Sequence, residues 1–259
     1  MPRTSEPGRS VSSRLLALLF SFEPGATELS LADLARRTGL AHPTARRLVL
    51  ELVRAGALEQ RPSGRYAVGL RLWQLGTLAP LTESLRTMAQ PYMEDLYSAL
   101  NQHVQLAVLE GDEAVIIERL SAPKALGLVS QVGGRLPLHC SGVGKVLLSH
   151  AGPSLADQVL DGELRKYTAK TVTDERVLRR ELAECRRTGF ALVRGELTQG
   201  ADSIAARVLN SDGQVVAALS VVVRSETVRS QSALPSVITS ALGLSRALGW
   251  RPGIRVREN

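Results

Sequence analysis

Residues 30–53 carry the most informative pattern of this chain: two short amphipathic segments separated by a tight turn at Gly39. Ser30 and Asp33 have the spacing of a capping box at the start of the first segment. Gly39 suits the position after a helix end, where a positive φ is cheap for glycine. Pro43 suits the first turn of the next helix, because an N–H there would lack an intrahelical acceptor. The pattern predicts a helix-turn-helix, whose second helix enters a DNA major groove.

The second segment has an apolar face and a polar face. The apolar positions recur at helical spacing and predict the side that packs inward: Ala45, Leu48, Val49, Leu52 and Val53. The opposite face carries His42, Thr44, Arg46, Arg47 and Arg54. Arginine can bridge O6 and N7 of guanine or clamp a phosphate. Taken alone, the arginine pair also fits a solvated face of an ordinary surface helix, but the turn before it favours DNA binding.

Residues 57–68 form two short alternating runs around Pro62-Ser63-Gly64, which predicts a β-hairpin. Arg61 and Arg65 flank its tip. Such a wing beside a helix-turn-helix contacts the sugar-phosphate backbone, which positions the protein rather than reading sequence. The predicted DNA-contacting residues are therefore Ser30, His42, Pro43, Thr44, Arg46, Arg47, Arg61 and Arg65.

The distribution of charge agrees with this assignment. Residues 1–80 contain eleven Arg, no Lys and six acidic residues, so they carry +5 of the net charge of +7. A basic excess concentrated at the DNA-binding motif is the electrostatic footprint that phosphate binding requires. The first 13 residues are rich in Pro, Gly, Ser and Arg and predict a mobile arm, followed by a first helix within residues 15–22.

The remaining composition indicates a cytoplasmic, nucleoid-associated protein. Cys140 and Cys185 are far apart and indicate a reducing compartment without a disulfide framework. No apolar run approaches the length of a membrane span, so we expect no membrane partner.

The second half predicts mixed helices and strands, which makes the chain an α+β protein. A linker helix is expected over 79–100, interrupted at Pro91, and Thr173 is expected to cap a later helix that Gly189 ends. The predicted domains are a winged helix-turn-helix domain at 1–78, the linker helix and an effector-binding domain at 101–259. Within the last, strands are predicted at 103–110, 114–120, 126–132, 190–195, 203–209 and 214–223, and helices at 141–149, 174–187 and 232–248.

Several motifs follow one another in a characteristic order: Leu31-Ala32-Asp33-Leu34-Ala35, Thr38-Gly39-Leu40, Gly64-Arg65-Tyr66, Val132 to His139, Ser141 to Leu148, Arg186 to Ala191, and Asp212-Gly213. In this order they resemble the IclR family of bacterial transcriptional regulators, over about residues 14–250. The resemblance implies a winged helix-turn-helix followed by a GAF-like effector domain with a central antiparallel sheet.

The resemblance also implies a function and a site. It implies a ligand-responsive regulator, more often a repressor than an activator, which forms a homodimer or homotetramer and binds double-stranded operator DNA and a small metabolite. It implies no catalytic residue, no metal and no cofactor. Carried over residue by residue, the effector-lining positions are Leu128, Leu136, Gly142, Val143, Ala201, Ser203, Ser220 and Val222.

This sequence departs from the family pattern at three positions. Ser203 stands where cysteine is frequent, Arg207 where proline is usual, and Val222 where some members have serine. The changes predict either a less polar effector or a different binding pose. Arg207 has two interpretations: it pairs with a carboxylate of the effector, or it faces solvent from a strand, which is slightly favoured.

Other chemistries fit the sequence poorly. The run Gly142 to Lys145 resembles a phosphate-binding loop, but it lacks the first glycine, and Val146 replaces the Ser or Thr that would hold magnesium. Its glycines can still offer backbone N–H groups to an anionic effector at a helix start. Cys140 has no identified acid partner beside His139, and the four histidines lack metal-ligand spacing. The alternative function is a metabolite-binding protein or enzyme with a vestigial DNA-binding module.

Overall fold

The computed structural model describes residues 10–23, 25–76, 78, 80–121, 131–225 and 229–252. By its internal contacts the chain separates into two compact units, with the division between Glu83 and Ser84. Each unit has its own hydrophobic core and is described here by itself.

The first unit contains a helix-turn-helix and a small sheet. Its helices are α1 (Val11–Leu19), α2 (Leu31–Thr38), α3 (His42–Arg54) and α4 (Leu70–Gly76). Its strands are β1 (Glu28–Leu29), β2 (Leu58–Gln60) and β3 (Tyr66–Val68), which pair antiparallel in the order β1-β3-β2. The predicted winged helix-turn-helix is confirmed.

Local chemistry explains the helix-turn-helix. The Ser30 hydroxyl accepts a hydrogen bond from the Asp33 backbone N–H, and the Asp33 carboxylate accepts one from the Ser30 N–H, so the predicted capping box is present. Gly39 ends α2 with a φ of 69°. Behind the turn, buried side chains of three helices form the core of the unit: Leu18, Leu34, Leu40, Ala45, Leu48, Val49 and Leu52.

Three features of this unit differ from the sequence prediction. Helix α1 begins at Val11, inside the segment predicted to be an arm, because Ser10 caps it and accepts a hydrogen bond from Ser13 N–H. Strand β1 was missed because two residues are too few to show an alternating pattern. Helix α4 was also missed; it is short, and none of its residues is buried.

The second unit is built on a six-stranded antiparallel sheet with the order β6-β5-β4-β9-β8-β7. The strands are β4 (His103–Glu110), β5 (Glu113–Leu120), β6 (Arg135–Pro137), β7 (Phe190–Arg194), β8 (Ala201–Leu209) and β9 (Val215–Arg224). The helices are α5 (Pro80–Leu100), α6 (Gly142–His150), α7 (Pro153–Asp161), α8 (Glu175–Thr188) and α9 (Arg229–Ala247). Helix α5 begins before the division between the units. The central antiparallel sheet matches the expectation.

Each face of this sheet packs on a different set of helices. Helices α5 and α9 cover one face, whose core includes Val104, Leu106, Ile204, Leu219 and Val221. Helices α6, α7 and α8 cover the other, where the sheet presents small side chains: Ala107, Ala191, Ala205 and Ala218. Small residues on the second face let a helix approach the sheet closely.

Helix α5 continues through Pro91 instead of breaking there. A proline inside a helix costs roughly 3 kcal/mol, but the stripe formed by Leu85, Ala89, Met93 and Leu96 is buried against the sheet. Burial of this stripe outweighs the lost backbone hydrogen bond. From Ser84 onward, the helix predicted as the linker is part of the second unit.

Other boundaries in this unit also differ. Asp174, not Thr173, caps α8, because its Oδ1 accepts a hydrogen bond from Val177 N–H at 2.9 Å. Helix α7 and strand β6 were not predicted. The predicted strand at 126–132 falls mostly on residues outside the described part of the chain. None of the described helices is both long and apolar enough to cross a membrane.

We expect Gly144→Ala to destabilise the second unit. A Cβ at this position in α6 would lie 2.6 Å from both the Leu138 Cα and the Pro137 carbonyl oxygen, and backbone atoms cannot move aside cheaply. The expected loss is about 1–3 kcal/mol, measured as the free energy of unfolding in urea. Gly76→Ala is the matched control, because its Cβ would meet nothing within 4 Å. Equal stability of both variants would contradict the close packing of α6.

Candidate DNA interface and effector site

The face of α3 that was predicted to contact DNA lies on the surface. His42, Pro43, Arg46 and Arg47 are exposed and Thr44 is half-buried, whereas the apolar face is buried. The Arg47 guanidinium pairs with Glu51 one turn later, at 3.4 Å. In the described part of the chain Arg46 has no ion pair, so its charge is fully available.

The start of α3 also suits an anion. Its N-cap residue, Ala41, makes no side-chain capping hydrogen bond, and Pro43 occupies the first turn. Backbone N–H groups at a helix start have no intrahelical acceptor, and the helix dipole places partial positive charge there. A phosphate oxygen fits such an end. Ser30 differs from its neighbours in the predicted set, because its hydroxyl is already engaged in the capping box of α2.

The two wing arginines are held against the rest of the unit. The Arg65 guanidinium donates to the Glu28 carbonyl oxygen at 2.9 Å, and Arg61 pairs with the Glu59 carboxylate at 2.9 Å. Asp33 lies 3.6 Å from Arg65. The Glu28 carboxylate also lies 3.5 Å from Arg61. Sequence reasoning missed these acidic partners, and the two contacts with Glu28 depend on the unpredicted strand β1. The wing therefore presents arginines whose charge is partly neutralised, and phosphate must compete with these carboxylates.

The carboxylate of Asp33 stays ionised through the physiological range. Its hydrogen bonds with Ser30, and then its pair with Arg36, lower its pKa from 3.8 to about 2. The group is exposed, so the effect is screened by solvent. The capping box and the wing contact both depend on this ionised form.

The predicted effector residues lie around the start of α6. Ser141 caps this helix: its hydroxyl accepts a hydrogen bond from Gly144 N–H at 3.1 Å and donates to the Pro137 carbonyl oxygen at 2.7 Å. Gly142 rests directly on β8, because a Cβ there would lie 2.4 Å from the Ser203 Oγ. The first turn of α6 thus lies over the sheet, with backbone N–H groups at its positive end.

The sheet brings three more of these residues to the same place. Ser203 is paired with Val222, and Ser220 is paired with Ala205, so all four share the face below α6. Ala201 lies on the same face at the start of β8. Val143 is buried in α6, and Leu136 packs against the same core from β6. Leu128 lies outside the described residues.

Ser220 carries a feature that ordinary packing does not explain. Its side chain is fully buried, and its Oγ has no hydrogen-bond partner in the part of the chain that the structure describes. A buried hydroxyl without a partner costs roughly 1–3 kcal/mol. Such an atom at the base of a predicted pocket indicates a missing polar partner.

Sequence reasoning missed a polar group beside Ser220. This group is Gln105 of β4, which stands opposite Ser220 of β9 and, on its other side, opposite Arg119 of β5. His103 lies two residues before Gln105 on the same face, and its Nδ1 is 3.4 Å from Nη2 of Arg119. His103 and Gln105 are buried. A signal was present, because these polar residues alternate with apolar ones in a strand that has both faces covered.

Arg207 satisfies neither interpretation offered by the sequence. It is half-buried, and its Nη1 lies 3.1 Å from Nε2 of His150 at the end of α6. Gly142 lies eight residues away at the other end of that helix, about 12 Å at the helical rise per residue. Arg207 therefore fastens the end of α6 and does not reach the residues grouped around its start.

The resemblance to a phosphate-binding loop has a structural explanation. Nζ of Lys145 is buried and donates to the carboxylates of Glu196 at 2.7 Å and Glu181 at 2.6 Å. Its charge holds α6 to its neighbours and is not presented to a ligand. Burial raises the pKa of the neighbouring Cys140 to about 12, so this thiol is protonated and unsuited to nucleophilic chemistry.

An open groove of about 510 Å³ lies between α8 and β7. Its floor is apolar, with Phe190 and Leu192. Its carboxylates are already paired, Glu181 with Lys145 and Glu184 with Arg187. We favour the face below α6, because Ser220 supplies a buried polar atom that lacks a partner there.

We expect Arg46→Ala to lower DNA affinity by about 1–3 kcal/mol at a specific site if the side chain contacts a base. If it contacts only phosphate, affinity should fall equally on specific and scrambled duplexes, and the salt slope should fall by about 1. Fluorescence anisotropy at two salt concentrations separates the outcomes. Arg47→Ala should have a smaller effect, because Glu51 already engages that guanidinium. Arg179→Ala, in α8, is the control, and an effect as large as that of Arg46→Ala would contradict the interface.

We expect Ser220→Ala to leave the free energy of unfolding unchanged or to raise it by about 1 kcal/mol, because the lost hydroxyl had no partner. Ser245→Ala is the matched control. Ser245 is equally buried, but its hydroxyl donates to the Ala241 carbonyl oxygen at 2.7 Å and accepts from Leu209 N–H at 2.9 Å. This control should lose about 1–3 kcal/mol in urea denaturation. Equal losses would show that Ser220 has a structural partner.

Comparison with known proteins supports both halves of the chain. Residues 12–62 match the family described as "IclR helix-turn-helix domain", and residues 81–248 match "Bacterial transcriptional regulator IclR C-terminal". The HTH-type transcriptional regulator XynR of Escherichia coli is 31% identical, over 92% of this chain and 96% of its own length. The HTH-type transcriptional repressor AllR of Klebsiella pneumoniae is 29% identical, over 96% and 93%.

A solved structure also supports the family assignment. An IclR homologue from Microbacterium hydrocarbonoxydans, crystallised with 4-hydroxybenzoate, is 36% identical and superposes with a TM-score of 0.87, covering 92% of this chain and 99% of the homologue. These homologues are transcriptional regulators, so the enzyme alternative is set aside. The winged helix-turn-helix, the effector domain and these matches together place the chain in the IclR family of bacterial transcriptional regulators.

Proposed function

We propose that this DNA-binding regulator is a repressor that releases its operator when a small carboxylate binds between α6 and the sheet. The observation that carries the proposal is the buried Oγ of Ser220, which has no partner in the described residues and lies on the face below the start of α6. A ligand oxygen or hydroxyl in this space would supply the missing hydrogen bond.

The charge of the surroundings favours an anion. The first turn of α6, the positive end of the helix dipole, lies beside the face that carries Ser203. Arg119 adds a cation on the same face. The homologue from Microbacterium hydrocarbonoxydans was crystallised with 4-hydroxybenzoate. This supports a carboxylate of similar size as the effector of the present chain.

The same residues as predicted would line the site. Gly142 and Val143 would donate from α6, and Ser203, Ser220 and Val222 would form the base on the sheet. Leu136 and Ala201 would complete the walls, together with Leu128. Valine at position 222 makes the base less polar than a serine would, which suits an effector with an apolar body.

A repressor that releases its operator when an effector binds must have different effector affinities in its DNA-free and DNA-bound forms. The effector must bind the DNA-free form more tightly than the operator-bound form, since equal affinity for both forms would shift nothing. A repressor is supported by the similarity to AllR, which is named a repressor. Coupling energies between two sites are typically about 1–3 kcal/mol, so we expect a change of roughly 5- to 150-fold in operator affinity.

A homodimer or homotetramer is part of the proposal. Helix α4 has no buried residue, and its apolar side chains Leu70, Trp73 and Leu75 are 66%, 65% and 59% exposed. Large exposed apolar side chains clustered together mark a protein–protein contact. Paired helix-turn-helix units read two half-sites of a palindromic operator, so association of two copies suits DNA binding.

The proposal is tested by fluorescence anisotropy on the DNA directly upstream of the gene, with a scrambled duplex as the control. We expect tight, salt-sensitive binding to the upstream DNA only, because specific contacts add to those with phosphate. Addition of 4-hydroxybenzoate should release the DNA, whereas the neutral analogue 4-hydroxybenzyl alcohol should not.

Two results would contradict the proposal separately. Equal, weak binding to both duplexes would contradict the prediction that the operator lies directly upstream of the gene. If 4-hydroxybenzoate leaves specific binding unchanged or strengthens it, the proposal that a carboxylate of this type releases the DNA is contradicted.

A further inference from the structure

We infer that the effector site continues along the sheet to Arg119, and that the effector is bipolar. One end is a carboxylate at the start of α6, and the other is a second oxygen-bearing group held by the Arg119 guanidinium. The inference rests on the proposed function, because it extends the same site and names the chemistry of its far end.

The register of the sheet defines the direction of the site. Arg119, Gln105, Ser220 and Ala205 stand opposite one another on the four adjacent strands β5, β4, β9 and β8. Directly opposite residues in antiparallel strands share a face. Neighbouring strands are about 4.8 Å apart, so the backbones at Arg119 and Ser220 are separated by about 10 Å. The row therefore forms a track that begins below α6 and ends at a cation.

The contact between α6 and β8 prevents a ligand from extending toward β7. A Cβ on Gly142 would lie 2.4 Å from the Ser203 Oγ and 3.4 Å from the Ala205 Cβ. No ligand can pass between the helix and the sheet at this point toward β7. A molecule whose carboxylate meets the start of α6 must therefore extend across β9 and β4, toward Arg119.

The polar residues along the track are unusual for a covered face. His103 and Gln105 are 4% and 3% exposed, whereas Val104 and Leu106, on the opposite face of the same strand, belong to the apolar core. Gln105 lies between Ser220 and Arg119 in the row, and His103 contacts Arg119, so polar groups line the row from one end to the other. This arrangement supports a site for a ligand with polar groups at both ends.

The Arg119 guanidinium has the right chemistry for the second group. It carries five N–H donors and no acceptor, so it can keep the contact with His103 and also bind a ligand oxygen. Its planar shape matches a carboxylate. Burial lowers the pKa of Arg119 from its usual value, which means that the cation is partly desolvated and gains from a nearby anion.

Isothermal titration calorimetry of the full-length protein with benzoate and terephthalate tests this inference. The two probes share one carboxylate and an aromatic body, and terephthalate adds a second carboxylate in the para position. We expect the wild-type protein to bind terephthalate at least about tenfold more tightly, because hydrogen bonds between charged groups are stronger than those between neutral groups. Arg119→Gln should abolish this preference and change benzoate affinity by less than about threefold.

Two further variants separate recognition from structure. Arg119→Lys keeps the charge without the planar fork, so it should retain part of the preference. Arg135→Gln removes an arginine from the adjacent strand β6 whose only described ion pairs are on the surface, with Glu110 and Glu113, and it should bind both probes as the wild type does.

The inference is overturned if wild-type protein shows no preference, or if Arg119→Gln weakens both probes by the same factor. If the wild-type protein binds benzoate as tightly as terephthalate, Arg119 does not bind a second group, but the proposed carboxylate site at the start of α6 is still supported. Binding of neither probe by wild-type protein would overturn both the inference and the carboxylate effector on which it rests.

Discussion

The close contact between helix α6 and the central sheet governs the architecture of the effector unit. It depends on Gly142 and Gly144, where a side chain would collide with β8 or with the segment before the helix. Small residues on the sheet face below, Ala205 and Ala218 among them, complete the fit. Because the helix lies so close, its first turn, where the helix dipole is positive, lies directly over β8. Packing and the proposed ligand contacts therefore involve the same few residues.

Buried polar groups of the effector unit fall into two sets: those that are paired within the described part of the protein and those that are not. Lys145 and Glu196 are buried together and hydrogen-bonded, so they hold α6 beside the loop after β7. A buried pair of this kind resists rearrangement, since removing one partner leaves the other uncompensated. Ser220 belongs to the second set, because its buried hydroxyl has no described partner. This hydroxyl is the atom to which a polar group of the proposed effector would bind.

The DNA-binding unit also contains both arginines that are paired within the protein and an arginine that is exposed to a ligand. Arg65 and Arg61 fix the wing to β1, whereas Arg46 on α3 is exposed and without an ion pair in the described residues. The start of α3 is likewise left without a side-chain cap. The arginines that hold the wing are therefore different from the groups that are available to phosphate, which are Arg46 and the backbone N–H groups at the start of α3. The sequence alone does not distinguish one arginine from another in this respect.

The sequence alone determined the helix-turn-helix, the wing and most strands, because these depend on local signals: capping residues, turn glycines and the alternation of apolar side chains. Tertiary structure decided the continuity of α5 through Pro91, where burial outweighs a local penalty, and the pairing of Arg207 with His150. It also brought Arg119, Gln105 and Ser220 into one row. Strand register sets such a row, and register depends on partners more than 100 residues apart in the chain, which no local pattern records.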